Sequence, residues 1–327
     1  MYQTTLSPEQ AVGHILRHNI ADQQGRKALH KGRKIGAGDV ATLRELGVEA
    51  VPVAVFEPGD VHEDEAARQV AAAIMGAHVR ASAPAASRVN LFAEAAGVVQ
   101  IDAAGLLRMN GIDGVTVATL RSHTRAAAGA RLATIKIIPF AIPQAALAEV
   151  AAIGQAHTPI VALRPLHSQR VAVVLVGSGA ARERIADGVY PAIEQRVAEL
   201  GSYVQTPRYA AADEYVVAAA ILAALEANPA LIIVAGETSI MDRDDVTPRA
   251  IRLAGGRIEH YGAPVEPGNL LLLAYLERAG KTVAILGAPG CVRSRNVNIV
   301  DVLLPRLLTG ELVTRSDIIE LGHGGLL

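Results

Sequence analysis

Apolar runs bounded by turn residues divide this chain into two differently patterned halves. In the second half three runs stand out, Val171–Val176, Leu231–Ala235 and Thr282–Leu286. Each ends in a short loop of glycines and small residues and leads into a helix. The loops are Gly177-Ser178-Gly179, Gly236-Glu237-Thr238-Ser239 and Gly287-Ala288-Pro289-Gly290. Continuous apolar runs of this length predict strands buried on both faces of a mainly parallel sheet. Helices are predicted at Asp187–Leu200, Ala211–Ala227, Val246–Ala254 and Asn296–Leu308. Asn228-Pro229 and Gly255-Gly256 act as stops. Asn269–Tyr275 and Thr282–Leu286 read as a hairpin around Glu277-Arg278-Ala279-Gly280.

The first half reads as an α+β module, with helices at Gly38–Leu46 and Glu63–Met75. Strands are predicted at Glu49–Phe56, Val98–Ile101, Gly114–Leu120 and Leu132–Phe140. Asp60 is predicted to cap the second helix, and Glu63, Asp64 and Glu65 suit its first turn. Lys136 interrupts the apolar run Thr134–Pro139, and a buried lysine is costly unless paired. That predicts an edge strand. The stretch Ala156–Gln169, with Pro159 and Pro165, reads as the boundary. The organisation expected is a module over 1–160 and, over 165–327, a three-layer α/β domain on a mainly parallel sheet.

Composition narrows the class. The chain has 327 residues, a formal net charge of −1, 51% hydrophobic residues and only 3% aromatics, with no Trp. The near-zero charge argues against a nucleic-acid or membrane-surface partner. A single cysteine, Cys291, excludes an internal disulfide and a cysteine metal cluster. Residues Met1–Leu6 show no secretory pattern, and the longest helical apolar run, Val216–Leu225, is about half a membrane span. The expectation is a soluble cytoplasmic protein.

Candidate chemistry gathers at the ends of the three buried strands, where open parallel sheets bind ligands. Gly177, Ser178, Gly236, Glu237, Thr238, Ser239 and Gly290 would present backbone N–H groups to an anion, with Pro289, which has no N–H, as a further binding residue of the third loop. Arg293 and Arg295 add guanidinium forks suited to phosphate or another oxyanion. Asp242, Asp244 and Asp245 carry oxygen donors for a divalent cation; the competing reading is that Asp244 or Asp245 caps the next helix. Cys291 has no histidine close in sequence and reads as a loop filler. Gly177-Ser178-Gly179 opens like a dinucleotide fingerprint. However, Ala180-Ala181-Arg182 supplies no third glycine, which leaves a nicotinamide-dependent dehydrogenase as a weak alternative.

On these residues the second half, from about Arg170 to Gly310, resembles the molybdopterin-binding domain of molybdopterin molybdotransferases, the gephyrin E domain and molybdopterin adenylyltransferases. Gly236–Ser239 stands in the place of that family's Gly-Gly-x-Ser loop, with Asp242 and Asp244 where its acidic residues follow. Gly287-Ala-Pro-Gly290 stands in the place of its Leu-Pro-Gly-Asn-Pro loop. Glu57–Glu65, Ala133–Pro143 and Pro264–Leu270 extend the likeness to a subgroup of molybdopterin-binding proteins, some fused to a nucleotidyltransferase. The resemblance implies a phosphorylated pterin ligand, molybdopterin or its adenylylated form. It also implies a role in molybdenum cofactor biosynthesis, with Asp242 and Asp244 placing Mg²⁺ for catalysis and molybdate as co-substrate. A homo-oligomer, dimer or trimer, follows from the same likeness, as does a molybdoenzyme or nucleotidyltransferase partner. The family's Thr-Gly-Asp-Glu is replaced here by Val176-Gly-Ser-Gly179, so two readings stay open: a molybdotransferase, and a non-catalytic carrier or chaperone of the cofactor.

Overall fold

The computed structural model describes residues 1–157, 159–237 and 240–327. Its chain forms two compact units, Met1–Arg164 and Pro165–Leu327. Among the described residues no helix is long and apolar enough to cross a membrane.

The first unit opens with β1 (Tyr2–Leu6), β2 (Ile15–Leu16), β3 (Ile20–Ala21), β4 (Lys27–Leu29), α1 (Ala37–Glu45) and β5 (Val51–Val55). It continues through β6 (Asp60–His62), α2 (Glu63–Ile74), β7 (Val79–Ala81), β8 (Arg88–Ala93), β9 (Gly97–Ile101) and α3 (Ala103–Asn110). It closes with β10 (Val115–Thr119), β11 (Arg125–Ala126), β12 (Arg131–Ile137), β13 (Ala141–Pro143), α4 (Gln144–Ala156) and β14 (Val161–Pro165). Two separate cores build it. A small one joins Leu16, Leu29, Ile35, Leu43 and Val53 around the sheet β1-β5-β2. A larger one packs Val70, Ile74, Val150 and Ile153 of α2 and α4 on the antiparallel sheet β10-β12-β8-β7.

The second unit runs β15 (Arg170–Val176), α5 (Arg182–Gly188), α6 (Tyr190–Glu199), β16 (Tyr203–Val204), β17 (Arg208–Ala210) and α7 (Glu214–Leu225). Then follow β18 (Leu231–Gly236), α8 (Val246–Leu253), β19 (Arg257–Tyr261), β20 (Leu272–Arg278), β21 (Lys281–Gly287), α9 (Ile299–Leu308) and α10 (Arg315–Glu320). The sheet order is β16-β15-β18-β21-β20-β19, with β17 also paired to β15. β15, β18 and β21 are mutually parallel, and β20 and β21 form an antiparallel hairpin.

Strand side chains alternate between faces, so one apolar run feeds two cores. Val171, Val173 and Leu175 pack with Ile193, Val197, Leu303 and Leu304. Ala172, Val174 and Val176 pack with Val217, Ile221, Ala250 and Ile251. The result is three layers: α5, α6 and α9, then the sheet, then α7 and α8. This is the α/β architecture that the uninterrupted apolar strands predict.

Several expectations are corrected. Asp187–Leu200 is not one helix. Pro191 occupies the first turn of α6, where its missing N–H costs nothing, and a separate α5 precedes it. Asp60 does not cap α2. His62 does, its Nδ1 accepting the Asp64 N–H at 3.2 Å, while Asp60 accepts the Glu57 N–H at 2.7 Å. Lys136 is not on an edge, because β12 lies between β10 and β8. The run Leu132–Phe140 ends as a strand at Ile137. The stretch read as the boundary holds the division between the two units at Arg164 and Pro165 and also carries β14, which joins β9 in a sheet. Helices α3 and α4 were not anticipated; the Asp102 carboxylate caps α3, accepting the Ala104 and Gly105 N–H groups at 3.0 Å each.

Two predictions follow from this packing. The β20–β21 turn places Ala279 at φ 50° and Gly280 at φ 76°. This is the primed-turn geometry that favours Asn-Gly. Ala279→Asn is expected to raise stability by up to about 1 kcal/mol, read in urea denaturation. Asp317 accepts from Thr314 and pairs with the fully buried Arg306 at 2.7 Å. Burial pushes its carboxyl up, but the Thr314 hydroxyl and N–H and the Arg306 guanidinium outweigh that and hold it at about 2. Its folded value lies below its unfolded one, so its stabilisation is present above about pH 4 and is lost as pH falls toward 2. Melting curves of the wild type and Asp317→Asn should therefore separate at neutral pH and converge in acid.

Candidate functional site

Register aligns the strand ends. Val176 lies opposite Gly236, and Val234 opposite Gly287, so all three loops leave from one edge of the sheet. Two of the glycines there are set by packing. A Cβ on Gly177 would lie 2.5 Å from Ile185 Cδ1 and 3.0 Å from Tyr209 Oη. One on Gly287 would lie 2.6 Å from Ile240 Cδ1 and 3.0 Å from Leu272 Cβ. Gly179 faces open space, at the start of a short 3₁₀ turn, Gly179–Ala181. The first N–H groups of such a turn have no partner within it.

Glu237 ties the first two loops together. Its carboxylate accepts the Ser178 N–H at 3.2 Å, the Ser178 hydroxyl at 3.0 Å and the Arg184 guanidinium at 2.5 Å. The Ser178 N–H and hydroxyl, with Arg184, hold the Glu237 carboxyl below the usual range. Tyr209 donates its hydroxyl to the Ser178 carbonyl at 2.6 Å, and Arg182 lies 5.2 Å from the Tyr209 ring centroid. A carboxylate of the chain itself thus occupies donors that an external anion would use.

Two clefts share Glu237 as a wall. One, of about 140 Å³, is lined by Gly177, Gly236, Glu237, Ile240, Asp245 and Thr247, among others. The other, of about 230 Å³, lies between Arg184, Ile185, Gly188, Val189, Glu237 and Arg293. Gly177, Gly236, Glu237 and Arg293 thus meet around these clefts, and Ser178 reaches them through Glu237. Thr238 and Ser239 lie outside the described residues. A larger cleft of about 460 Å³ opens along β19, where Arg243, Arg252, Arg257 and Arg315 surround His260 and Tyr261.

The third loop is organised from below by Arg196, which is 7% exposed. Its Nε bonds Asp301 at 2.8 Å. Nη1 donates to the Ala192 and Val292 carbonyls at 3.1 and 3.0 Å, and Nη2 to the Ser294 and Asn296 carbonyls at 2.7 and 3.0 Å. All five donors of the guanidinium are used. Buried Asn298 caps α9, accepting the Val300 N–H at 3.0 Å. Pro289 precedes the 3₁₀ turn Gly290–Arg293. Arg293 and Arg295 are exposed, and Arg293 Nε returns to the Gly290 carbonyl at 3.1 Å. Burial pushes the Cys291 thiol up, away from a reactive thiolate.

The acidic segment after β18 is largely spent on its own turn. Asp245 Oδ2 accepts the Met241 and Asp242 N–H groups at 2.6 and 2.9 Å. Asp242 Oδ1 accepts the Asp244 N–H at 2.7 Å, and Asp244, 80% exposed, pairs with Arg252 at 3.0 Å. Neither Asp242 nor Asp244 lines the two rim clefts. Sequence reading missed Arg184, Tyr209, Thr247 and Arg196. Arg182 and Arg184, shortly after Gly177-Ser178-Gly179, were the available signal for a basic rim.

Comparison with known proteins adds the following. Residues 172–309 match a family described as a probable molybdopterin binding domain, and residues 5–55 match a domain of unknown function. No curated protein matches. Among solved structures, the tungsten cofactor synthesizing protein MoaB of Pyrococcus furiosus is 14% identical at TM-score 0.31, covering 42% of this chain and 89% of its own. The molybdopterin biosynthesis enzyme MoaB of Thermus thermophilus is 16% identical at TM-score 0.31, covering 44% and 98%. A molybdenum cofactor biosynthesis protein of Pyrococcus furiosus is 10% identical at TM-score 0.23, covering 98% and 65%.

The buried guanidinium supports the rim and gives a direct test. Arg196→Met is expected to destabilise the chain by about 3 kcal/mol, because it strands four carbonyls and Asp301. Urea denaturation followed by circular dichroism reads this. A loss under about 0.5 kcal/mol, the scale of an ordinary surface change, would contradict the assigned role.

Proposed function

We propose that this chain, whose residues 172–309 match the family of probable molybdopterin binding domains, binds molybdopterin in molybdenum cofactor biosynthesis, with the ligand's phosphate at the rim of the second unit. The observation that carries this reading is the cleft between Arg184 and Arg293, walled by Glu237. Two guanidinium groups there suit an oxyanion, and the 3₁₀ turns at Gly179 and Gly290 add N–H groups pointing out of the sheet edge.

Glu237 makes entry competitive. The incoming phosphate takes the Ser178 N–H, the Ser178 hydroxyl and Arg184 from the carboxylate, which then turns to solvent. The adenylylated form of the ligand would use the same anchor.

Insertion of molybdate is the catalytic extension of this reading, with Asp242 and Asp244 as its acidic residues. The carrier reading has an observation in its favour. Asp242, Asp244 and Asp245 are engaged by backbone amides and Arg252 and do not converge as an open cation site. Among the described residues these three carboxylates do not come together as a group that would hold Mg²⁺.

Calorimetric titration with molybdopterin tests the proposal. Arg184→Ala and Arg293→Ala should each weaken binding about 10- to 100-fold, the scale of one charge-assisted hydrogen bond. Glu237→Gln should tighten it, because the competing charge is gone. Unchanged affinity in both arginine variants would remove the site. Release of AMP from the adenylylated ligand, lost in Asp242→Ala, separates the transferase from the carrier.

A further inference from the structure

The first unit holds its own cavity, about 580 Å³, of a size typical for small-molecule sites. Its lining combines Arg17, Lys31 and Lys136 with Ser87 and an apolar wall, Ile138-Pro139-Phe140. Lys136 lies on the half-exposed face of β12, between Thr116 and Arg88 of the neighbouring strands, and lines the cavity from there. It donates to the Ser87 hydroxyl and to the Ala86 carbonyl at 3.4 Å. Ser87 is 2% exposed and sits at φ 64°, directly after Ala86 at φ 50°.

Two consecutive left-handed residues form a primed turn, in which Asn-Gly is the favoured pair. Here the turn instead carries a hydroxyl that accepts from Lys136 and donates to the Ala86 carbonyl at 2.5 Å. The backbone is locked in place: the Ser87 N–H donates to Asp64 Oδ1 at 2.8 Å, and the Ser87 carbonyl accepts the Ile137 N–H at 2.9 Å. Strained positions that their surroundings over-determine cluster at ligand sites. Lys31 lies 5.6 Å from the Phe140 ring centroid, which joins the cationic and apolar walls. Glu63 is the carboxylate lining the cavity, so cations are in excess.

We propose that this cavity binds a phosphate ester of a small flat ring, with the phosphate on Lys136, Ser87 and Arg17 and the ring along Pro139 and Phe140. Two cations and a hydroxyl match a dianion, and the apolar wall distinguishes an ester from the free ion. This site is independent of the pterin reading of the second unit.

The test is acetylation footprinting of the full chain by mass spectrometry, with phenyl phosphate, inorganic phosphate and benzoate as probes. Phenyl phosphate should protect Lys31 and Lys136, but not Lys281, at a concentration about tenfold below that required of either other probe. Arg17→Met should raise that concentration about tenfold. Ser87→Gly suits the turn better and should still fold, yet protection should weaken several-fold. Equal protection by phosphate and phenyl phosphate would overturn the proposal. So would protection no greater than at Lys281, or a Ser87→Gly variant that binds like the wild type.

Discussion

The rim of the second unit depends on one buried guanidinium. Arg196 rises from α6 into the underside of the loop after β21 and spends every donor, on three carbonyls of that loop, on Asp301 of α9 and on the Ala192 carbonyl of its own helix. A loop between a strand and a helix has many backbone carbonyls and no ladder to take them. Left to water they would fix no shape, whereas a desolvated fork of fixed geometry imposes one. Asp301 also accepts the Asn298 N–H at 2.9 Å, so the same carboxylate sets the start of α9. The positions of Arg293 and of the 3₁₀ turn follow from that scaffold.

Around this scaffold the molecule behaves as an anion site already partly filled. Glu237 on Ser178 and Arg184, and Asp245 on two amides of its own loop, show that the strand ends do present donors to negative charge. The chain supplies that charge itself. Such internal capping keeps polar loops satisfied without ligand, and affinity then rests on an exchange of one anion for another rather than on new desolvation.

Much of the sheet was legible because its signals are local. Uninterrupted β-branched and aliphatic runs read as strands buried on both faces of a sheet, and Ala279-Gly280 between two such runs is a hairpin. Gly255, at φ 87°, ends α8 as a glycine stop does. What the sequence hid is non-local. Arg196 sits on an amphipathic helix, where an arginine reads as solvated, and only packing against the loop at 290–296 buries it. The contact of Glu237 with Ser178 arises from the register of β15 against β18, not from spacing. Lys136 suggested an edge because it interrupts an apolar run, yet β12 buries one face only and Lys136 falls on the other. Asp60 looked like a cap by composition, yet His62 stands one residue before α2 and takes the amide. The glycines of the rim were legible as glycines but not in role: Gly177 and Gly287 are small because side chains crowd them.

The central claim is that the edge of this sheet receives a phosphorylated pterin by displacing Glu237. A crystal structure of the chain with molybdopterin tests it most directly. The account predicts the phosphate between Arg184 and Arg293, with Glu237 swung off Ser178. A ligand seated elsewhere, with the carboxylate still on the Ser178 amide, would contradict it.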